Sequence, residues 1–290
     1  MAKTILITGA TGNISSGILN NLKNSGHNLR ALVRNPEKAD ALKKQGIDVR
    51  IGDLEKPWTL GPAFEGADTV WLLGPPGPRA PEQSSNGLWA AKQGGAKYVV
   101  RMSAVGAAFN APTINSRLHA LSDAEVAASG IPFTILKPYF FAQNLMMMAA
   151  GSIANDGAMY MAMGEGKVGI IDSRDISDFA AHVLTHPGHE GKTYTLTGPA
   201  SLNMHQVAEA MGKGLGRPVK YVPIPWEAAQ QAMAQMGMDP WTINFLGDYM
   251  KAYSANWGDF ANGEFQAVTG KAPRSIEQFA RDFAGAFGKK

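Results

Sequence analysis

The sequence predicts an α/β protein whose first half winds a parallel sheet in both directions and whose remainder forms a smaller C-terminal α/β region. Three observations predict it. Short β-rich runs alternate with helical patterns from residue 1 to about 138, the order that βαβ units produce. The first run leads directly into a glycine turn, Gly9-Ala10-Thr11-Gly12. Of the 290 residues, 33 are glycine, and several stand where a helix should hand over to a strand, as at Gly26, Gly46, Gly66, Gly94 and Gly130.

Taken in order, Lys3-Thr4-Ile5-Leu6-Ile7-Thr8 reads as a buried strand, and Ile14, Ile18, Leu19 and Leu22 fall on one face of the helix that follows. Asn28 to Val33 is a second strand. After the Asn35-Pro36 turn a short helix runs from Glu37 to Gln45, and Val49 to Asp53 is the third strand. Ala67 to Leu73 is the fourth, stopped by the Gly74 to Pro81 run. A helix over Gln83 to Gly94 precedes a strand at Tyr98 to Ser103, and a helix over Leu118 to Ser129 precedes one at Phe133 to Leu136. Six strands with crossover helices make an open doubly wound sheet the economical topology. Beyond Pro138 the pattern loosens: 146–163 and 226–260 read as helices and loops, while 193–196 and 219–222 read as strands. The expected division is a nucleotide-binding domain over 1–138 and a mainly substrate-binding region over 139–290, with the chain free to cross back to the sheet.

Composition narrows the chemistry. Hydrophobic residues make up 45% and charged residues 18%, a globular balance. The absence of cysteine excludes disulfides, thiolate metal sites and a cysteine nucleophile. Against 24 acids there are 27 bases without runs, so no nucleic-acid partner is expected. The longest apolar stretch, Phe140 to Ala150, falls short of the roughly 20 residues a bilayer needs, and a soluble cytoplasmic protein is expected, with a homodimer left open. His182, His186, His189 and His205 lack metal-ligand spacing, and no metal is expected.

The strongest signal is Thr8-Gly9-Ala10-Thr11-Gly12-Asn13-Ile14-Ser15, placed after strand one and opening helix one. A dinucleotide pyrophosphate needs bare backbone there and free N–H groups at a helix start. Gly9 and Gly12 meet that need, flanked by Thr11, Asn13 and Ile14, and the fold class becomes Rossmann-like. Ser15 stands where a third glycine would be. Arg34, ending strand two, suits a 2′-phosphate better than a ribose hydroxyl, so NADP(H) is expected over NAD(H). Asp53, Leu73, Gly74, Ser103 and Pro138 end later strands at the same edge and complete the expected cofactor set, although Asp53 serves equally as a turn acid.

The chain resembles the NmrA-like branch of the atypical short-chain dehydrogenase/reductases. The likeness rests on Gly9-Ala10-Thr11-Gly12, Val33-Arg34-Asn35-Pro36, Gly52-Asp53, Met102-Ser103-Ala104, Ile131 to Pro138 with Asn144, Gly164 to Lys167, Arg174-Asp175-Ile176 and Gly191 to Tyr194. It implies NADP(H) bound beside a small substrate domain, and reduction of an apolar or conjugated acceptor such as a quinone, dye, iminium or enone. The alternative is a non-catalytic, redox-sensing regulator that binds NADP(H) and acts through a protein partner. Conventional members carry Tyr-x-x-x-Lys after an upstream serine; here Ser103 keeps the serine position, but His119-x-x-x-Asp123 replaces the pair. His119 is the candidate proton donor, its basicity expected to be raised by the neighbouring Asp123. Tyr139 is the third catalytic candidate, in the loop the family places against the nicotinamide, with Phe140 and Phe141 as pocket walls.

Overall fold

The structure, a computed structural model, describes residues 2–288. In chain order it contains β1 (Thr4–Ile7), α1 (Asn13–Leu22), β2 (Asn28–Val33), α2 (Ala39–Lys43), β3 (Asp48–Ile51), α3 (Gly61–Phe64), β4 (Thr69–Leu72), α4 (Ala80–Gln93), β5 (Tyr98–Met102), α5 (Ile114–Ala128) and β6 (Phe133–Pro138). These are followed by α6 (Gln143–Asp156), β7 (Ala158–Met161), β8 (Lys167–Gly169), α7 (Ser173–Thr185), β9 (Lys192–Leu196), β10 (Ser201–Asn203), α8 (Met204–Leu215), β11 (Lys220–Pro223), α9 (Trp226–Gln235), α10 (Pro240–Ser254), α11 (Glu264–Thr269) and α12 (Ile276–Asp282). They form two compact units. The first holds the chain up to residue 111 with 115–137 and 176–194, and the second holds 112–114, 138–175 and the chain from 195 onward.

The first unit is a seven-stranded sheet in the order β3-β2-β1-β4-β5-β6-β9. Strands β1 to β6 are mutually parallel. Parallel strands are covered on both faces and therefore read as continuous apolar runs, as in β1, where Ile5, Leu6 and Ile7 are fully buried. On one side Leu6, Leu32, Val70, Leu72, Val99 and Phe64 share a core with Leu88 and Ala91 of α4. Helix α7 returns to this unit and packs on α1: a Cβ added at Gly17 would stand 2.5 Å from the Ser177 hydroxyl, which donates to the Ile14 carbonyl at 2.9 Å.

Several elements depart from the sequence expectation for local reasons. The region 37–45 splits into a 3-10 turn over Pro36–Lys38 and a five-residue α2, because Pro36 opens the turn and the Asn35 side chain accepts the Glu37 N–H at 3.0 Å. A 3-10 turn over Pro57–Thr59 and the four-residue α3 fill a stretch that shows no periodicity. Helix α5 begins at Ile114 and not at 118, since the Ile114 N–H is received by the Asp248 carboxylate at 2.9 Å, a tertiary cap that no local pattern encodes.

In the second unit β7 pairs in parallel with β11, and β8 pairs antiparallel with β10. The methionine-rich stretch divides between a helix and a strand. Met159, Met161 and Met163 are core residues, whereas Met147 is exposed. Among the described residues no helix is long and apolar enough to cross a membrane.

Candidate active site

Parallel strands end on one edge, and the residues that follow β1, β2, β3, β4 and β5 gather there. The strand order changes direction between β1 and β4, the position at which open α/β sheets leave a crevice for a ligand. The turn after β1 is built for close approach. Gly9 sits at φ 61°, a left-handed conformation that glycine adopts without steric cost, and the Gly12 N–H closes the turn on the Gly9 carbonyl at 2.9 Å. Gly12 then caps α1 in an extended conformation without any side-chain acceptor, and the first turn of α1 holds no acid. The opening N–H groups and the positive end of the helix dipole are thus left for an anion. Gly9, Thr11, Gly12 and Asn13 are exposed, while the Ile14 side chain is buried and has only its backbone to offer.

A second layer fixes this turn. Trp71 is fully buried, and its indole N–H donates to the Ser15 hydroxyl at 3.0 Å while that hydroxyl donates to the Thr8 carbonyl at 2.9 Å. Serine therefore stands in the third-glycine position because a buried indole needs an acceptor there. The Thr8 hydroxyl accepts the Leu73 N–H at 2.7 Å, which pins Leu73 and Gly74 beside the turn. Arg34 is exposed and makes no ion pair among the described residues. Asp53 is half-buried and accepts the Glu55 N–H at 3.0 Å, so one carboxylate oxygen holds its own turn.

A cluster of opposite character lies at β5, β6 and α5. Arg101 registers with Ile135, so Arg101, Ser103 and Lys137 share one sheet face by the two-residue period, beneath His119 and Asp123, which lie one helical turn apart. Arg101 is 4% exposed. Its Nη1 pairs with the Asp123 carboxylate, and Nη2 lies 3.2 Å from His119 Nδ1. Ser103 donates its hydroxyl to Asp123 at 2.8 Å, and Lys137 Nζ reaches the same carboxylate at 3.2 Å and the Ala107 carbonyl at 3.1 Å.

This overturns the expected raised basicity of His119. The Asp123 carboxylate is taken by Arg101, Ser103 and Lys137, and burial together with the Arg101 and Lys137 charges pushes the His119 pKa down to about 3. The ring is neutral at every ordinary pH. Ser103 is buried and joined to that cluster. Arg101 and Lys137 were not singled out as site residues, although an arginine inside the apolar run Tyr98 to Met102 was a usable signal, since a buried charge requires a partner.

Pro138 and Tyr139 belong to the second unit. The Tyr139 N–H donates to the Leu196 carbonyl at 2.9 Å, its ring stacks on Phe260 at 5.9 Å between centroids, and burial raises its pKa. Phe140 meets the edge of Tyr253 at 6.1 Å. Tyr253 ends a column of rings on α10 at four-residue spacing, with Trp241 on Phe245 at 5.2 Å, Phe245 on Tyr249 at 5.5 Å and Tyr249 on Tyr253 at 5.6 Å. Phe141 instead bridges Ile171. Arg174 pairs with Asp172 and Asp282, and Asp175 with Arg274, which makes these residues structural.

A glycine turn at the switch point of a doubly wound sheet defines the class: a Rossmann-like protein of the dinucleotide-binding type. The chain belongs to the NmrA-like family, whose sequence model matches residues 1–258. It is 38% identical over 288 residues to the NAD(P)H azoreductase of Xenophilus azovorans, covering 98% of this chain and 99% of that protein. It is 31% identical over 248 residues to quinone oxidoreductase 2 of Escherichia coli, covering 84% and 86%. The crystal structure of an Escherichia coli NADPH-dependent quinone oxidoreductase complexed with NADPH superposes with a TM-score of 0.88 at 26% identity, over 97% of this chain and 99% of that one.

Proposed function

We propose that the protein is an NAD(P)H-dependent reductase that passes hydride to a small conjugated acceptor of the quinone or azo class, with NADP(H) preferred over NAD(H). The observation that carries it is the turn after β1: left-handed Gly9, uncapped Gly12 and an α1 start free of acids leave the N–H groups and space that a pyrophosphate needs. The residues fit the cofactor. Gly9, Thr11, Gly12, Asn13 and the Ile14 N–H would hold the diphosphate, Leu73 and Gly74 would border the crevice, and Arg34, exposed and in no ion pair among the described residues, would receive the 2′-phosphate. When bound, the dinucleotide supplies the hydride. The relatives named for azo and quinone reduction support the acceptor class.

Consumption of NADPH across a panel of quinones, azo dyes, cationic dyes and enones tests this reading. Turnover with at least one quinone or azo compound is expected. Tight NADPH binding without turnover of any acceptor would leave a binding protein and sink the reductase. For the cofactor preference, Arg34→Asp should lower the affinity for NADPH relative to NADH by about tenfold or more, the worth of a charge-assisted hydrogen bond of roughly 1.5–3 kcal/mol. An unchanged ratio removes Arg34 from the 2′-phosphate site.

A further inference from the structure

The cluster behind His119 deepens the reductase reading and rests on it. A guanidinium has only N–H donors, so the 3.2 Å approach of Arg101 Nη2 to His119 Nδ1 makes Nδ1 the acceptor and leaves the single ring proton on Nε2. Nε2 bonds to none of the described residues and is not among the buried atoms left without a partner, so it meets solvent. Around the ring stand Arg101 from β5, Lys137 from β6 and Asp123 from its own helix. Glu125, on the same helix, adds a second carboxylate that acts on Arg101, while the charges that bear on the ring itself are those of Arg101 and Lys137.

We infer that Arg101 is a positioning residue that fixes His119 as a neutral Nε2–H donor, and that this N–H stabilises the negative charge gathering on an oxygen or nitrogen of the acceptor as hydride arrives. The acceptor gains one bond to hydrogen at the expense of the C–H bond of the reduced cofactor and is reduced by two electrons. The anion on its heteroatom then takes a proton from water. His119 keeps its proton throughout, because losing it would create an imidazolate. A neutral imidazole held by its second nitrogen is an established way to polarise a developing oxyanion, and here the Arg101 and Lys137 charges that bear on the ring favour the same anion. The low protonation point of the ring agrees with this role and not with that of a general acid.

Two measurements decide it. NMR of the imidazole nitrogens, assigned through His119→Gln, should show the Nε2–H tautomer and no protonation between about pH 8 and pH 5; in Arg101→Lys, which keeps a cation for Asp123 but loses the second fork nitrogen, the tautomer preference should disappear. In acceptor turnover, His119→Leu should lower kcat/KM about a hundredfold, while His119→Gln, which can donate an N–H but cannot titrate, should recover most of that loss. NADPH affinity should hold within about twofold in both. A ring that titrates near 6.5, with His119→Gln as slow as His119→Leu, would establish a general acid and overturn the inference, as would full turnover by His119→Leu. If the wild-type protein reduces no acceptor the reductase reading fails and the role of His119 with it, while the tautomer still reports on Arg101 separately.

Discussion

Two polar regions at the carboxyl edge of the same sheet handle their unsatisfied groups in opposite ways. The turn between β1 and α1 leaves its donors open: no side chain caps Gly12 and no acid enters the first turn. The cluster at β5, β6 and α5 leaves almost nothing open. Arg101, Ser103 and Lys137 all converge on Asp123, and the outer nitrogen of His119 has no partner among the described residues. An uncapped start is shared by α4 and α6, whereas α8 starts with a complete capping box in which Asn203 and Gln206 satisfy each other's backbone; α1 differs from α4 and α6 in following directly on the left-handed Gly9 turn. The difference teaches that one region leaves its donors free, as the proposed cofactor seat requires, while the other turns its charges inward on one another and on one ring.

The largest effect should come from breaking the closed region. Asp123→Ala leaves two partly or wholly buried cations without a carboxylate and should cost about 3–5 kcal/mol of stability, read by chemical denaturation; a loss under about 1 kcal/mol would show that water already screens the cluster. In the open region, Gly9→Val places a branched residue at φ 61°, roughly 1–3 kcal/mol of backbone strain, with its Cβ 3.4 Å from the Leu73 carbonyl. NADPH binding by calorimetry should weaken about tenfold or more, and unchanged affinity would remove the turn from the cofactor seat.

Acid sharpens the contrast. The folded His119 pKa of about 3 lies below its ordinary 6.5, so the unfolded chain takes up a proton that the folded chain refuses. Its contribution is complete above 6.5 and declines as pH falls toward 3, by about 2 kcal/mol at pH 5. Asp175 runs the other way. Burial lifts its pKa to about 6 from 3.8 despite Arg274, so stability from that group is present at low pH and lost as pH rises through 6. Subtracting the stability profile of His119→Gln from that of wild type isolates the histidine, and a flat difference between pH 7 and 5 would refute the assignment. Smallest is the support beneath the open turn: Ser15→Ala strips the Trp71 indole of its acceptor and should cost about 1–2 kcal/mol, with a parallel loss of NADPH affinity if the indole positions the turn.

Much of this molecule is legible in its sequence. Ile5 to Ile7, the Gly9 to Gly12 spacing and the Ile14, Ile18, Leu22 stripe are local signals, and local signals define βαβ units. The pairs that govern the closed cluster are not local. Arg101 and Asp123 are 22 residues apart, and Lys137 joins them only because the register of β5 on β6 places Ile135 beside Arg101. Sequence spacing put Asp123 next to His119; it had no means of showing that Arg101 would intervene and reverse the sign of the effect on the ring. The short elements of the second unit were obscure for another reason. Strands of three or four residues such as β8, β10 and β11 are too brief to display a period, and the methionines of 146–163 suit a helix or a core strand equally.

The burial of Trp71 has a spectroscopic consequence. Of the six tryptophans it alone is fully shielded, while Trp58 and Trp89 are 78% and 53% exposed and the other three are half-covered. A water-borne quencher such as iodide strips emission from the outer indoles first and leaves the light that comes from beneath the first turn of α1. Trp71 is thus a reporter beneath the first turn of α1, and a change in the residual emission on adding NADPH is the expected sign that the proposed seat is filled.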